Sequence, residues 1–457
     1  MDTVKLGTGN IRSIFFSLAG PSILAQIVTV IYNMVDRIYI SQLPDSRSMM
    51  AAIGITAPIS LIVTAFTALL GNGGAPLCAI CLGRGETEKG ERIMSNSFGA
   101  LMAVGAVIMA VCLAFGEPLL YAFGARGVTL EYALSYLRIY ICGTFFVQIS
   151  VGMNAYINTQ GFAKMGMLTV ATGALLNVVL DPIMIYGLHM DVAGAALATV
   201  ISQGVSAVMV MRFLLVGGNT LRLRWSLMKP NWPILRQIML LGVSPFIMKL
   251  TESLLSIAFN NQLYRFGGDL AVSVMTIMNS VWQMAQLMTH GFTDGAQPIL
   301  GYNYGAGKLD RVRSAFRLEL LTCWGWTLLC AVVVLAFPSL FLRIFNADAE
   351  TMVAGPAMLR VYFFGMICYG AFNACQQAYI ALGNAKSSLF FAVFRKVILL
   401  IPLIYLFPAL FQGDKVLAVL AAEPVADIVS TAVGGACFFS FYRKKLSTQP
   451  AAPGKPV

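Results

Sequence analysis

Two carboxylates, an amide and a hydroxyl stand inside stretches that are otherwise apolar: Asp36, Asp181, Asn177 and Thr199. A charge in such a setting is costly and persists where it faces a cavity or a partner. Asn177 precedes Asp181 by four residues, so the two share one helix face. On helices running alternately outward and inward, at about 1.5 Å per residue, Asp36 comes about one turn, Asp181 about one to two turns and Thr199 about two turns below the same surface. Hard oxygen donors gathered at one depth suit Na⁺, and two carboxylates in a low dielectric cannot both stay bare, so Na⁺ or a proton is expected to join them. Other chemistry is not announced. The nine cysteines all fall in apolar runs, where a thiol packs as a small hydrophobe, and the Cys78 and Cys81 pair lacks a second pair or a nearby histidine to complete a metal site. His189 and His290 are far apart in sequence, and no HExxH, GxSxG or P-loop is present. No enzyme, cofactor or structural metal is expected.

The elements that must hold these side chains are membrane helices. The chain of 457 residues is 58% hydrophobic and 11% charged, with mean hydropathy +0.77, which leaves too little charge to clothe a soluble surface. Runs long enough to cross about 30 Å of hydrocarbon recur from 14–40 to 416–442, with a short break expected between 234–264 and 270–301. Adding 222 maps Pro76 onto Pro298, Gly83 onto Gly305, Arg138 onto Arg360, Gly161 onto Gly383 and Lys164 onto Lys386, so the chain reads as a repeat. The fold class expected is an all-α polytopic membrane protein of twelve transmembrane helices, in two six-helix bundles related by a pseudo-two-fold along the membrane normal. The spans assign 1–216 to an N-terminal lobe, 217–235 to a cytoplasmic linker, 236–445 to a C-terminal lobe and 446–457 to a disordered tail. The basic residues of the connections collect on one side, leaving only Arg47, Arg126, Arg265, Arg343 and Lys415 for the other, which puts both termini in the cytoplasm. The first span is too long for a cleavable signal. The net charge of +11 follows from this bias, so nucleic acid is not an expected partner; the lipid bilayer and small organic molecules are, for a chain acting as a monomer in the cytoplasmic membrane.

The repeat is chemically lopsided. Under the shift Asn177 and Asp181 become Leu399 and Leu403, while Asp36, matched through Gly20-Pro21 to Ser244-Pro245, becomes Asn260. An architectural role would be kept in both copies, so a cation site confined to the first half is expected. The segments Tyr32-Asn33-Met34-Val35-Asp36, GRGETEKGERIMSNSF (83–98), Asn177-Val178-Val179-Leu180-Asp181-Pro182, GYNYGAGKLDRVR (301–313) and Gly383-Asn384-Ala385-Lys386 resemble the multidrug and toxic compound extrusion (MATE) family, of the prokaryotic type with the ion site in its N-terminal lobe. The resemblance covers essentially the whole chain. It implies export of bulky, often cationic organic compounds in exchange for Na⁺ or H⁺, with Asp36, Asn177, Asp181 and Thr199 as the coupling site and Tyr32, Asn33 and Asn154 in its polar network. Glu252 departs from the pattern, since it does not register with the acidic residue that other branches use. The alternative is a lipid-linked precursor flippase of the same superfamily, for which basic residues in a central cavity and two extra helices would be more natural.

A substrate surface is expected in the second half. Met248, Met278 and neighbouring thioethers adapt to many shapes, Trp282 can stack on planar cations, and Asn260, Gln283, Gln286 and Gln376 supply an uncharged polar lining beside Glu252. For the methionines, ordinary core packing is the competing reading. Lys249 and Glu252, three apart, read either as a neutralised pair or as a substrate contact, and Arg395 and Lys396 are expected to pair with Glu423 and Asp427.

Overall fold

A lipid environment offers backbone groups no partner, so each spanning segment must satisfy its own N–H and C=O groups. The computed structural model describes residues 4–216, 220–345 and 347–446, and these contain helices and no strand. The spans are α1 (Ile11–Ser41), α2 (Ser46–Arg84), α3 (Thr87–Ala122), α4 (Gly127–Cys142 with Thr144–Thr159, bent by 53°), α5 (Ala163–Gly187) and α6 (Asp191–Val216). Next comes helix Trp232–Gly305, 74 residues long. At about 1.5 Å per residue it would reach about 110 Å if straight, several times the hydrocarbon thickness. It turns instead at Gly268, where φ 61 and ψ −154 suit only a residue without Cβ. The two arms are α7 (232–267) and α8 (269–305). The remaining spans are α9 (Leu309–Ala336), α10 (Ala349–Ala381), α11 (Ala385–Leu410) and α12 (Lys415–Lys444). The protein is therefore a multi-pass membrane protein whose described residues form twelve spans once the long helix is divided at Gly268, as its sequence implies. The repeat governs the helix starts: Thr87 and Leu309, Gly127 and Ala349, and Ala163 and Ala385 are each separated by the same 222 residues.

Two compact units result. The first holds Gly20–Phe246 with residues 4–5, and the second holds Leu6–Ala19 with the chain from Ile247 onward. The 217–235 connection is thus not where the units divide; the divide cuts α1 beside Pro21 and α7 beside Pro245. Long-range contacts cause the difference. In the second unit the Leu6 carbonyl accepts from Asn303 Nδ2 at 3.0 Å and from Arg311 Nη2 at 3.1 Å, and the Gly9 carbonyl from Arg311 Nη2 at 2.8 Å. In the first unit the backbone of Gly242 lies against that of Leu69 with no room for a side chain. The linker is held too: Arg224 Nε meets Glu91 Oε2 at 2.7 Å, Asn231 N donates to Asn96 Oδ1 at 2.8 Å, and Asn96 Nδ2 donates to the Leu227 carbonyl at 3.0 Å.

The part of the first unit that positions Asp36 and Asp181 is an apolar cluster formed by Ile40, Leu43, Met49, Tyr136, Ile185 and Val192, with Ala195 and Ala196. It joins the ends of α1, α5 and α6 to α4. Tyr186 of α5 donates its hydroxyl to the Tyr39 carbonyl of α1 at 2.6 Å, tying the two acidic helices together. Between lipid-embedded helices the hydrophobic effect is weak, so close packing and such hydrogen bonds carry the association, at about 0.6–2 kcal/mol per bond.

Candidate functional site

Asp181 sits where α5 changes its winding. Pro182 has no N–H and its ring crowds the preceding turn, and the helix widens to a π-helical turn over Ile183–Gly187 directly after it. Close approach then fixes α6. A Cβ on Gly194 would fall 2.9 Å from the backbone of Met184, so glycine lets α6 lie directly on that widened turn. Five residues on, Thr199 comes within reach of α5.

Three of the four expected oxygen donors form one hydrogen-bonded group, and the fourth faces it. Asn177 Nδ2 donates to Asp181 Oδ1 at 3.1 Å and lies 3.5 Å from Thr199 Oγ1, which itself donates to the Ala195 carbonyl at 2.9 Å. The amide thus turns its donor end to the carboxylate and the hydroxyl. Asp181 is 0% and Asn177 3% exposed. Asp36 of α1 is close enough to Asp181 to act on it electrostatically. Asp36 Oδ1, Asn177 Oδ1 and Asp181 Oδ2 are all buried without a hydrogen-bond donor. Buried acceptors are normally satisfied, and three left bare in one neighbourhood form the kind of set that a proton or an oxygen-seeking cation completes.

The surroundings match the expected polar network in part. Tyr32 lies beside Asp36 and bonds to Asn33, whose Nδ2 also donates to the Thr29 carbonyl at 2.8 Å. Asn154 stands elsewhere: its Nδ2 donates to the Gly166 carbonyl at 3.1 Å and to Thr169 Oγ1 at 2.8 Å, near the opposite end of α5. Thr169 precedes Asn177 by eight residues, about 12 Å along the helix. Two further tyrosines lie at the candidate site. Tyr136 and Tyr140 of α4 stack at 5.7 Å, and Tyr136 interacts with both Asp36 and Asp181. Their signals in the sequence are a spacing of four and the match of Tyr140 to Tyr362 under the 222 shift, and in a membrane helix both read as packing.

The second unit contains the residues expected to meet substrate, divided between two groups. Gln376 Nε2 donates to Met248 Sδ at 3.0 Å, and Lys396 Nζ donates to the Met248 carbonyl at 2.9 Å and lies 3.6 Å from Glu252. Lys249 reaches Glu252 only at 4.0 Å. Trp282 packs edge-on against Tyr369 at 4.9 Å, and Gln286 Nε2 donates to the Tyr369 hydroxyl at 2.8 Å. Asn260 and Gln283 are exposed, whereas Met278 is enclosed in the apolar core of this unit. Arg395 takes both carboxylates of α12, Glu423 at 2.7 Å and Asp427 at 2.6 Å. The expected pairing thus holds for Arg395 and not for Lys396. Successive helical residues point about 100° apart, so the pair cannot face one neighbour.

The family model MatE matches residues 21–183 and again 245–406, one match per repeat. The chain belongs to the MATE family. Members of this family are transporters rather than enzymes. Among similar proteins, the multidrug export protein MepA of Staphylococcus haemolyticus (strain JCSC1435) is 26% identical over 416 residues, 91% of each chain. MepA of Staphylococcus aureus (strain MW2) is 25% identical over the same share. Among solved structures, a MATE transporter in its bent conformation superposes with TM-score 0.89 at 22% identity, covering 98% of this chain and 100% of the other. An outward-facing multidrug resistance MATE transporter of the MOP superfamily gives 0.87 at 22%, covering 98% of each. These likenesses establish the fold.

Proposed function

We propose that this transporter exports bulky, often cationic organic compounds across the cytoplasmic membrane in exchange for H⁺ or Na⁺, with both termini inside. The observation that carries this reading is the set of three donor-less oxygens on Asp36, Asn177 and Asp181, which a cation would complete and which the second repeat lacks. The MepA relatives are multidrug export proteins, which supports the substrate class. Met248, Glu252 and Gln376, with Trp282 and Gln286, are the surface proposed to meet the compound. The chain acts as a monomer in this reading, with H⁺ or Na⁺ as its coupling ion. The test is efflux of a cationic dye from loaded proteoliposomes, under a Na⁺ gradient and separately under a pH gradient. One of the two gradients should drive efflux, and Asp36→Asn should lower the driven rate about tenfold or more. Efflux indifferent to both gradients sinks the reading and turns attention to a lipid-linked precursor as cargo.

A further inference from the structure

Glu319 stands ten residues after the start of α9, in the second unit. It is 1% exposed, and neither Oε1 nor Oε2 has a hydrogen-bond partner. Among the described residues no charged side chain acts on it. The titratable groups that face it are two thiols, Cys323 one turn along α9 and Cys375 on α10. One turn nearer the start of α9, Phe316 stacks on Phe438 of α12 at 4.3 Å, and Phe438 meets Tyr379 of α10 at 5.1 Å. Aromatic rings thus close that side.

The first repeat shows what the carboxyl lacks. Its counterpart under the 222 shift is Ser97, whose Oγ meets the Tyr156 hydroxyl at 2.5 Å, and that hydroxyl also lies 3.2 Å from the Leu70 carbonyl. In the second repeat the position of Tyr156 is taken by Ala378. The second copy has an acid where the first has Ser97, and it lacks the hydroxyl that would answer it. An ionised carboxylate sealed away from water and donors is far more costly than a neutral acid, so a cation must accompany this one. Among the described residues no group of three His, Cys, Asp or Glu side chains is placed to hold a metal ion, and the titratable neighbours of Glu319 supply no further oxygen, which favours a proton here. We propose that Glu319 is a proton-binding site of the second unit, separate from the Asp36 and Asp181 cluster of the first. The two repeats have then exchanged carboxyls: the second lacks the pair at Asn260 and Leu403 and carries its own at Glu319.

This site stands whether or not the first-unit cluster couples export, and its test needs no substrate. The full chain in lipid nanodiscs at neutral pH is examined by infrared absorption in the carbonyl band of protonated carboxyls. Glu319→Gln should lose the intensity of one carboxyl, and Glu319→Asp should keep it. A band unchanged in Glu319→Gln overturns the proposal. Should that variant fail to insert, the wild-type chain is treated with dicyclohexylcarbodiimide, which reacts with protonated carboxyls in apolar surroundings, and its peptides are mapped. An adduct on Glu319 supports the site; adducts on Asp36 or Asp181 with none on Glu319 overturn it.

Discussion

Asn177 is the amide of the proposed cation site. By giving its N–H to Asp181 Oδ1, it leaves its own oxygen and Asp181 Oδ2, like Asp36 Oδ1, buried without a donor. Asn177→Leu, the residue at the matching place in the second repeat, should insert normally yet lower gradient-driven dye efflux about tenfold, because it removes one donor oxygen and frees Asp181 to turn. The conservative change Asp181→Asn should lose driven efflux as fully as Asp36→Asn does, since each removes only the ionisable oxygen. Driven efflux at the wild-type rate in either carboxamide variant would contradict the assignment. The two carboxylates and their amide were readable in the sequence because a polar residue in a long apolar run has few innocent explanations. Tyr136 and Tyr140 were not, because aromatic residues are common in such runs and only the fold shows which of them face a carboxylate. Asn154 illustrates the converse: its residue type fits a polar network, but the turn of its helix delivers it to Gly166 and Thr169.

Gly194 and Arg395 act through the helices they join. Gly194→Ala places a methyl group against the Met184 backbone, so α6 must move off α5 and the long contact between Asn177 and Thr199 is the first to go. Efflux should fall several-fold while the thermal stability of the purified protein changes little, and an unaltered efflux rate would show that Thr199 is dispensable. Arg395 pairs with two carboxylates inside the second unit, all three side chains being nearly fully buried. Arg395→Met should destabilise the protein by about 3–5 kcal/mol, because it leaves Glu423 and Asp427 unpaired; adding Glu423→Leu and Asp427→Leu should restore much of the loss. Thermal unfolding in detergent checks both. The order and number of helices were legible because hydropathy and the 222 repeat are properties of contiguous sequence, and so was the reversal near Gly268, which interrupts an apolar run. The attachment of residues 6–19 to the second unit was not legible, since it depends on Asn303 and Arg311, almost three hundred residues away. Nor was the widened turn of α4 at Gln148–Met153, which has no proline to announce it.

Across the whole chain, orientation and exchange are the properties left to measure, and the first conditions the second. A cysteine at exposed Gly413, between α11 and α12, should react with an impermeant thiol reagent added outside cells, and one at exposed Lys229 in the linker should react only after the membrane is opened; the reverse pattern would invert the shared depth of Asp36, Asp181 and Thr199. With that orientation in hand, exchange makes a thermodynamic demand. If cation and drug oppose each other through one bistable arrangement, filling the Asp36 and Asp181 cluster must favour the state that releases drug outward. Linkage then requires bound drug to weaken cation binding by the same factor that bound cation weakens drug binding. Pro21 and Pro182 lie on the two acidic helices, and each removes a backbone hydrogen bond where bending would be least costly. Drug affinity of the purified wild-type protein should therefore fall as pH drops or as Na⁺ rises, according to which ion couples, and by about 5-fold to 150-fold for a coupling of ordinary size. The dependence should vanish in Asp181→Asn while drug binding itself persists, because the substitution removes the proposed cation ligand and leaves the proposed substrate surface of the second unit at Met248, Glu252 and Gln376 untouched. Wild-type drug binding indifferent to both ions would exclude antiport by this cluster, however fast the efflux proved to be.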